Sequence, residues 1–289
     1  MTQRNATLVG FGAVALWSLL ALFTAATGAV PPLQLAAMTF AIGGTIGFVS
    51  CCARTGALQA LRQRPIVWAL GIGGLFGYHA LYFAALRLAP PAEAGLVNYL
   101  WPLLIVLFSA LLPGERVKLA HVAGALLGFA GVVVLMSGRA DLDLRPEHGL
   151  GYLCAFAAAF VWAGYSVLSR RFGHVPTDAV AGFCLATAAL SLVCHLAFET
   201  TVWPGTATEW AAVAALGLGP VGAAFFLWDI GVKRGDIRLL GVGSYAAPVL
   251  STLFLVVAGY AEPTLALGVA CALIVAGALA ASVLTTVRR

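Results

Sequence analysis

Residues 95–107 read GLVNYLWPLLIVL, and residues 241–253 read GVGSYAAPVLSTL. A constant shift aligns a glycine, a tyrosine and a proline of the first stretch with the same residue types in the second: Gly95 with Gly241, Tyr99 with Tyr245 and Pro102 with Pro248. The same shift aligns residues 66–108 with residues 212–254 without a gap and gives twelve identities in 43 positions. The chain is therefore predicted to contain two copies of one structural unit, residues 1–146 and residues 147–289.

The composition around this repeat is that of an integral membrane protein. Hydrophobic residues make up 62% of the 289 residues and charged residues only 9%, whereas soluble domains carry about 25% charged residues. A helix needs about 20 apolar residues to cross a hydrocarbon core of about 30 Å. Ten apolar stretches of that order leave no room for a soluble domain: about residues 6–27, 32–53, 65–88, 91–112, 118–137, 149–169, 178–198, 209–232, 237–259 and 263–286.

We therefore predict an all-α integral membrane protein with ten transmembrane helices in two inverted five-helix repeats. The stretches are apolar throughout and about twice as long as a spanning strand, which excludes a β-barrel. Because the first half crosses the membrane five times, the second half enters from the opposite side. Inverted repeats are common in secondary transporters, where the two halves exchange conformations and so move the opening of a cavity across the membrane. Duplication of a merely stable bundle is the alternative.

The basic residues indicate the orientation of the chain in the membrane. When successive loops are assigned to alternate sides, thirteen of the 16 Lys and Arg residues fall on one side, and Arg87, Arg139 and Arg145 fall on the other. The positive-inside rule then places both termini in the cytoplasm. We expect a multi-pass protein of the bacterial inner membrane, monomeric, with the lipid bilayer as its partner and no nucleic acid bound. A cleaved signal peptide in the first stretch is the alternative.

Aromatic and polar residues gather several residues inside the predicted helices, deeper than the interfacial belts where aromatic residues are common. A proline inside a helix displaces the carbonyl four residues earlier, so the carbonyls of Asn98 and Ser244 are predicted to be free for a substrate. Kinks satisfied by neighbouring helices are the alternative. The candidate hinges are Pro102, Pro220 and Pro248. The candidate substrate-binding residues are Trp17, Tyr78, His79, Tyr82, Asn98, Tyr99, Trp101, Trp162, Phe225, Ser244 and Tyr245.

Residues 77–82, GYHALY, place a histidine between two tyrosines deep inside the third predicted helix. An ionisable group at that depth indicates a functional site. His79 is predicted to orient the substrate. A further role as proton carrier and simple facilitated diffusion both stay open, because histidine titrates at about pH 6.5 but no carboxylate lies in the same helix. Asp229 lies four residues before Lys233 near a helix end, so an ion pair with Lys233 or a position at the membrane interface is expected, and a role in gating the inner mouth stays open.

The charges inside the predicted helices limit the substrate class. The first, second, third and fifth helices contain no acidic residue, which argues against export of organic cations, since these need a carboxylate in the membrane. No Lys or Arg lies near the middle of a predicted helix, which argues against phosphorylated substrates. A small zwitterionic substrate fits, because its ring can stack on aromatic side chains and its ammonium can meet ring faces. We expect no metal, no cofactor and no catalytic residue.

These features resemble a known family over the whole chain. The tryptophans in the first helix of each half (Trp17 and Trp162), the glycine-rich third and eighth helices and the two stretches quoted above are similar to the drug/metabolite transporter (DMT) superfamily, EamA family. Within it, the central aromatic residues resemble those of the aromatic amino acid exporters of YddG type. The resemblance implies export of aromatic amino acids (Phe, Tyr, Trp) and Met by alternating access. Export of another neutral amphiphilic metabolite or drug is the alternative.

An intramembrane enzyme and a receptor-like protein without transport are the rival classes. The sequence has no GxSxG motif, and Asp229 is the one acid well inside a predicted helix, so neither a serine nor an aspartyl hydrolase site is formed. The inverted repeat and the paired prolines argue against a protein that does not transport. The sequence therefore predicts a transporter and not an enzyme.

Overall fold

The computed structural model describes residues 1–138, 142, 145–257, 259 and 262–286, with side chains described as far as residue 281. Over these residues the chain is helical and no strand is found. Arg139, Arg288 and Arg289, which entered the charge count, lie outside the described residues. The long helices are α1 (Gln3–Ala25), α2 (Pro32–Cys52), α3 (Pro65–Leu88), α4 (Pro91–Ser109), α5 (Leu119–Ser137), α6 (Gly149–Arg171), α7 (Ala179–Phe198), α8 (Ala207–Arg234), α9 (Ile237–Val257) and α10 (Leu265–Thr286).

Nine helices among the described residues, α1–α9, are long and apolar enough to cross a membrane. The shorter apolar part of α10 is Leu265–Ala281. Proline is the first residue of α2, α3 and α4, where its missing N–H leaves no intrahelical bond unmade. The prediction of an all-α integral membrane protein is confirmed, and the chain is a multi-pass membrane protein.

Five of the described long helices are interrupted. α1 is broken at Leu19, α4 at residues 99–100 and α9 at residues 244–245. α3 and α8 each contain a π segment of five residues, Gly73–Gly77 and Gly219–Ala223. Glycine weakens a helix, and proline has no N–H to donate. In these glycine-rich segments the backbone hydrogen bonds therefore change from the i to i−4 pattern of the α-helix to the i to i−5 pattern of the π-helix. The sequence predicted a hinge at Pro220 in α8 but not the π geometry of either segment.

The interruptions recur at matching positions of the sequence repeat. The two π segments begin at Gly73 and Gly219, which the repeat aligns with each other, and the breaks in α4 and α9 include the aligned tyrosines Tyr99 and Tyr245. α2 packs along α7, and α5 packs along α10. The α5–α10 contact is close because it is lined by glycine: a Cβ on Gly124 would lie 2.5 Å from the carbonyl oxygen of Gly277.

Candidate functional site

A cavity of about 270 Å³ lies between α1, α3, α4, α6, α8 and α9. Most of the predicted site residues line it, although they come from different helices. The residues predicted from sequence that line the cavity are Trp17, Tyr78, His79, Tyr82, Asn98, Tyr99, Trp101, Trp162 and Phe225, with the candidate hinge Pro220. Depth within the predicted helices was the criterion that separated these residues from interfacial aromatic residues. It therefore identified residues that line one common cavity.

Tryptophan side chains form a cluster at one part of the cavity wall. The ring of Trp17 lies 5.6 Å from that of Trp162 and 6.3 Å from that of Trp101, both in edge-on geometry. Trp228, outside the predicted set, lies 5.0 Å from Trp17 and is fully buried. Its indole N–H donates to the Ser166 hydroxyl at 3.0 Å. The cluster therefore joins rings from α1, α4, α6 and α8 into one aromatic surface.

His79 is held in the cavity wall by its own helix. Its Nδ1 lies 2.7 Å from the carbonyl oxygen of Leu75. Because a carbonyl only accepts, Nδ1 carries the hydrogen of this bond, and Nε2 of a neutral ring is then an acceptor. The ring contacts Phe40 at 5.0 Å and Phe225 at 6.2 Å. A neutral His79 therefore presents Nε2 as a hydrogen-bond acceptor.

Asn98 and Tyr78 form the polar edge of the cavity. The Asn98 side-chain N–H donates to the Tyr78 hydroxyl at 3.1 Å, and the Asn98 side-chain oxygen has no hydrogen-bond partner among the described residues. The rings of Tyr78 and Tyr82 stack 6.0 Å apart. This edge offers an amide oxygen and hydroxyl groups without any formal charge.

Ser244, Tyr245, Pro102 and Pro248 are not among the described residues that line the cavity. The Ser244 hydroxyl donates to the Leu240 carbonyl at 2.7 Å, and the Ser244 carbonyl accepts the Ala247 N–H at 3.0 Å. The expectation that Pro248 leaves this carbonyl free is therefore wrong, because the break in α9 supplies another donor. The Tyr245 side chain is fully buried between helices.

Five residues that the sequence analysis did not single out complete the cavity wall: Leu20, Ala21, Val221, Ala247 and Ser251. They are small or aliphatic and carry no chemical signature. Ala247 and Ser251 are four residues apart, so they share one face of α9 beyond its break. Leu20 and Ala21 lie in the second half of α1, and Ser251 lies in the second half of α9. The cavity therefore extends away from the end of the bundle at which α1 and α9 begin, here named the N-terminal end.

A buried ion pair lies between the cavity and the N-terminal end. Lys233 Nζ lies 2.8 Å from an Asp229 carboxylate oxygen, and both side chains are at most 5% exposed. Lys233 also donates to the Val175 carbonyl at 2.9 Å, and the Thr177 hydroxyl donates to Asp229 at 2.7 Å. The ion pair predicted from sequence is confirmed, and it joins α8 to the loop between α6 and α7.

A second set of bonds closes the same end. The Arg170 guanidinium forms an ion pair with Glu115 and donates to the carbonyls of Val232 at 2.9 Å and Gly235 at 2.8 Å. Arg238 lies 3.4 Å from the second carboxylate oxygen of Glu115. The N-terminal end is therefore joined by side chains from several regions of the chain, whereas the described cavity wall contains no Asp, Glu, Lys or Arg.

A bundle of apolar helices around an aromatic-lined cavity with one end closed by ion pairs defines a multi-pass membrane protein of the transporter class. Residues 4–137 and residues 149–283 each match the EamA-like transporter family, and the chain belongs to this family. The family resemblance seen in the sequence is confirmed, and family membership makes the chain a transporter and not an enzyme.

The chain is also similar to particular members of this family. The aromatic amino acid exporter YddG of Ancylobacter novellus is 65% identical over 285 residues, which cover 98% of this chain and 99% of that protein. The aromatic amino acid exporter YddG of Escherichia coli is 28% identical, over 87% of this chain and 88% of that protein. A solved structure titled "Crystal structure of protein" has a TM-score of 0.96 and 63% sequence identity, and each chain covers 100% of the other.

Proposed function

We propose that the chain exports amino acids across the bacterial inner membrane, chiefly the aromatic amino acids Phe, Tyr and Trp, and also Met. The observation that carries this proposal is the composition of the cavity wall, which combines aromatic rings with uncharged polar groups. The similarity to proteins named aromatic amino acid exporters supports the same substrate class. A substrate with no net charge enters such a cavity without leaving a buried charge unpaired.

Both ends of a zwitterionic amino acid find matching groups in the cavity. The side-chain oxygen of Asn98 accepts a hydrogen bond from an ammonium group, and ring faces attract it further. The indole N–H groups of Trp101 and Trp162 make no hydrogen bond within the described residues and are available to a carboxylate. The aromatic side chain of the substrate stacks on the tryptophan cluster.

The arrangement that we propose is ten transmembrane helices in two inverted five-helix repeats, residues 1–146 and 147–289, with both termini in the cytoplasm. The recurrence of the π segments at aligned positions of the two halves supports the repeat. So does the packing of α2 on α7 and of α5 on α10, because equivalent helices meet at a pseudo-two-fold axis. The distribution of Lys and Arg supports the orientation.

Transport then proceeds by alternating access. The N-terminal end is the cytoplasmic end in this orientation, and its ion pairs close the cavity on that side. Opening to the cytoplasm separates the groups around Lys233 and Arg170, and movement of α3, α4, α8 and α9 about their interruptions provides the change. Pro220 lies in one π segment, and Pro102 and Pro248 lie just after the breaks in α4 and α9.

The alternative is export of another neutral amphiphilic metabolite or drug, because an aromatic wall binds any uncharged ring system. Counterflow in proteoliposomes separates the two. We expect labelled Phe, Tyr, Trp and Met to exchange, and Asp and Lys not to exchange. A matched control is Phe198→Ala on α7, whose side chain is 72% exposed on the surface of the bundle. Absence of exchange for every amino acid, with this control and the wild type well folded, would overturn the proposal.

The driving force is tested in the same vesicles. Export that runs at the same rate with and without a pH gradient assigns facilitated diffusion. Export that is accelerated by a pH gradient in the wild type, but not in His79→Phe, assigns proton coupling through this histidine.

A further inference from the structure

The two π segments, Gly73–Gly77 in α3 and Gly219–Ala223 in α8, lie at equivalent positions of the two halves. A π turn interrupts the i to i−4 ladder, and helices bend or rewind at such points. Both segments border the cavity, since Pro220 and Val221 line it and the cavity residues Tyr78 and His79 follow directly after the first segment. They are therefore placed where a bound substrate and a bending helix meet.

A ring N–H from the cavity wall is bonded to a carbonyl of the first π segment. The Nδ1 of His79 bonds the carbonyl of Leu75 at 2.7 Å. The same carbonyl also accepts the backbone N–H of Tyr78. The imidazole thus spans the junction between the π segment and the α-helical part of α3.

The second π segment is bonded in the same manner by a different residue. The indole N–H of Trp17, on α1, donates to the carbonyl of Pro220 at 3.1 Å across 203 residues of sequence. In the alignment of the two halves, Pro220 is the counterpart of Gly74, the direct neighbour of Leu75. Each half therefore has a π carbonyl bonded to an aromatic ring of the cavity wall, although the two rings come from unrelated positions.

Packing limits each π segment to discrete positions. A Cβ on Gly74 would overlap the Tyr165 ring of α6, and a Cβ on Gly222 would overlap the Gly217 carbonyl, with Gly43 of α2 directly behind it. A closely packed segment shifts only as a unit, together with the helix half that follows it. The ring N–H groups then help to select which position the segment adopts.

We infer that His79 and Trp17 are positioning residues that hold the two π segments in this conformation, and that a substrate carboxylate releases the segments by taking over their N–H donors. This inference rests on the proposed function. A carboxylate is a stronger acceptor than a peptide carbonyl, so a substrate that reaches Nδ1 of His79 or Nε1 of Trp17 replaces the carbonyl as partner. The π segment loses a bond that fixes it, and α3 or α8 moves.

The test uses substitutions that keep the ring and remove the N–H, namely His79→Phe, which copies its counterpart Phe225, and Trp17→Phe. The expected result is a maximal counterflow rate of phenylalanine reduced about tenfold, the effect of one hydrogen bond, with a dissociation constant changed less than about threefold. His79→Gln, whose amide N–H can reach the same carbonyl, is expected to recover most of the rate. The control is Thr39→Val, which removes a side-chain bond to the Leu35 carbonyl inside the uninterrupted α2.

A distance measurement keeps the inference separate from the substrate assignment. Spin labels at Leu88 on α3 and Phe198 on α7, with the six cysteines replaced, report the position of the end of α3. The inference expects a different distance distribution in substrate-free His79→Phe than in the substrate-free wild type and Thr39→Val, even if phenylalanine is not transported. Unchanged distances in His79→Phe, or a raised dissociation constant with an unchanged maximal rate, would overturn it.

Discussion

The Tyr245 hydroxyl accepts a hydrogen bond of 3.2 Å from the backbone N–H of Leu103, so a side chain beside the break in α9 completes the backbone bonding just after the break in α4. Tyr245 is fully buried, and a buried N–H without an acceptor costs about 1–3 kcal/mol. Tyr245→Phe is therefore expected to lower stability by about 1–2 kcal/mol, measured by thermal unfolding in detergent. A raised KM with unchanged stability would instead assign Tyr245 to substrate binding.

Removal of a central ring is expected to weaken substrate binding. Trp162 contacts the rings of Trp17 at 5.6 Å and Phe225 at 5.8 Å within the cavity wall. Each aromatic contact contributes about 0.5–1.5 kcal/mol beyond burial, so Trp162→Ala is expected to raise the KM for tryptophan about tenfold. Trp203→Ala, at a tryptophan that is 64% exposed, is the matched control. Equal KM values for the two variants would contradict a role of the cluster in binding.

The helices and most cavity residues could be predicted from sequence because their causes are local. A run of apolar residues long enough to cross a membrane is visible directly, and depth within that run separates Trp17 or Trp101 from interfacial tryptophans. The orientation of Ser244 and Tyr245 was not predictable in this way. They lie at a helix break, where the rotation of the following segment depends on packing against α4 and not on helical spacing.

Glu199 illustrates a second limit of sequence reasoning. Its buried carboxylate accepts the backbone N–H groups of Leu33 and Gln34 and lies 2.9 Å from Arg87 and 3.0 Å from His195. Three of these partners are distant in sequence and meet Glu199 only because α2, α3 and α7 share one end of the bundle. In the sequence alone, Glu199 follows the end of a predicted helix and cannot be distinguished from an acidic residue at the membrane interface.

These contacts predict a large effect of removing the Glu199 charge. Glu199→Gln leaves Arg87 without its partner and weakens the cap on the first turn of α2, so stability is expected to fall by about 3 kcal/mol. Arg87→Met is expected to cost less, because the buried Glu199 carboxylate keeps its bonds to the Leu33 and Gln34 N–H groups and to His195, and because Arg87 itself is 53% exposed. Thermal unfolding of the two variants measures the difference. If Arg87→Met lowered stability more than Glu199→Gln does, Glu199 would not be the main stabilising residue of this cluster.

Asp236, in the turn between α8 and α9, stabilises the folded protein in a pH-dependent manner. Burial would raise its pKa, but hydrogen bonds and the charge of Arg238, with the backbone N–H groups of Leu239 and Arg238, lower the pKa below its ordinary value of 3.8. The unfolded state therefore binds the proton more readily, and the stabilisation is present above the ordinary pKa and lost as the pH falls through the folded pKa. The stability difference between wild type and Asp236→Asn is expected to shrink from about pH 6 to about pH 3. A difference that is constant over this range would contradict the lowered pKa.

The Asp229–Lys233 pair is expected to hold the N-terminal end closed and not to bind substrate. Lys233→Met leaves a carboxylate that is 2% exposed without its counter-charge, which costs about 3 kcal/mol or more. Because the pair also joins α8 to residues 175–177, its loss is expected to open the N-terminal end. A cysteine placed at Ser169, beside the pair, is then expected to react faster with a polar maleimide added on the side of the N-terminal end. Arg234→Met, at the neighbouring exposed residue, is the control.

The double variant Asp229→Asn, Lys233→Met separates the charge of this pair from its role as a closing contact. Removing both charges leaves no unpaired buried carboxylate, so most of the stability lost in Lys233→Met is expected to return. The slow labelling of the Ser169 position is not expected to return, because the bond from Lys233 to the Val175 carbonyl is still absent. Slow labelling in Lys233→Met, as in the control, would mean that the Arg170 and Arg238 contacts close this end without the ion pair.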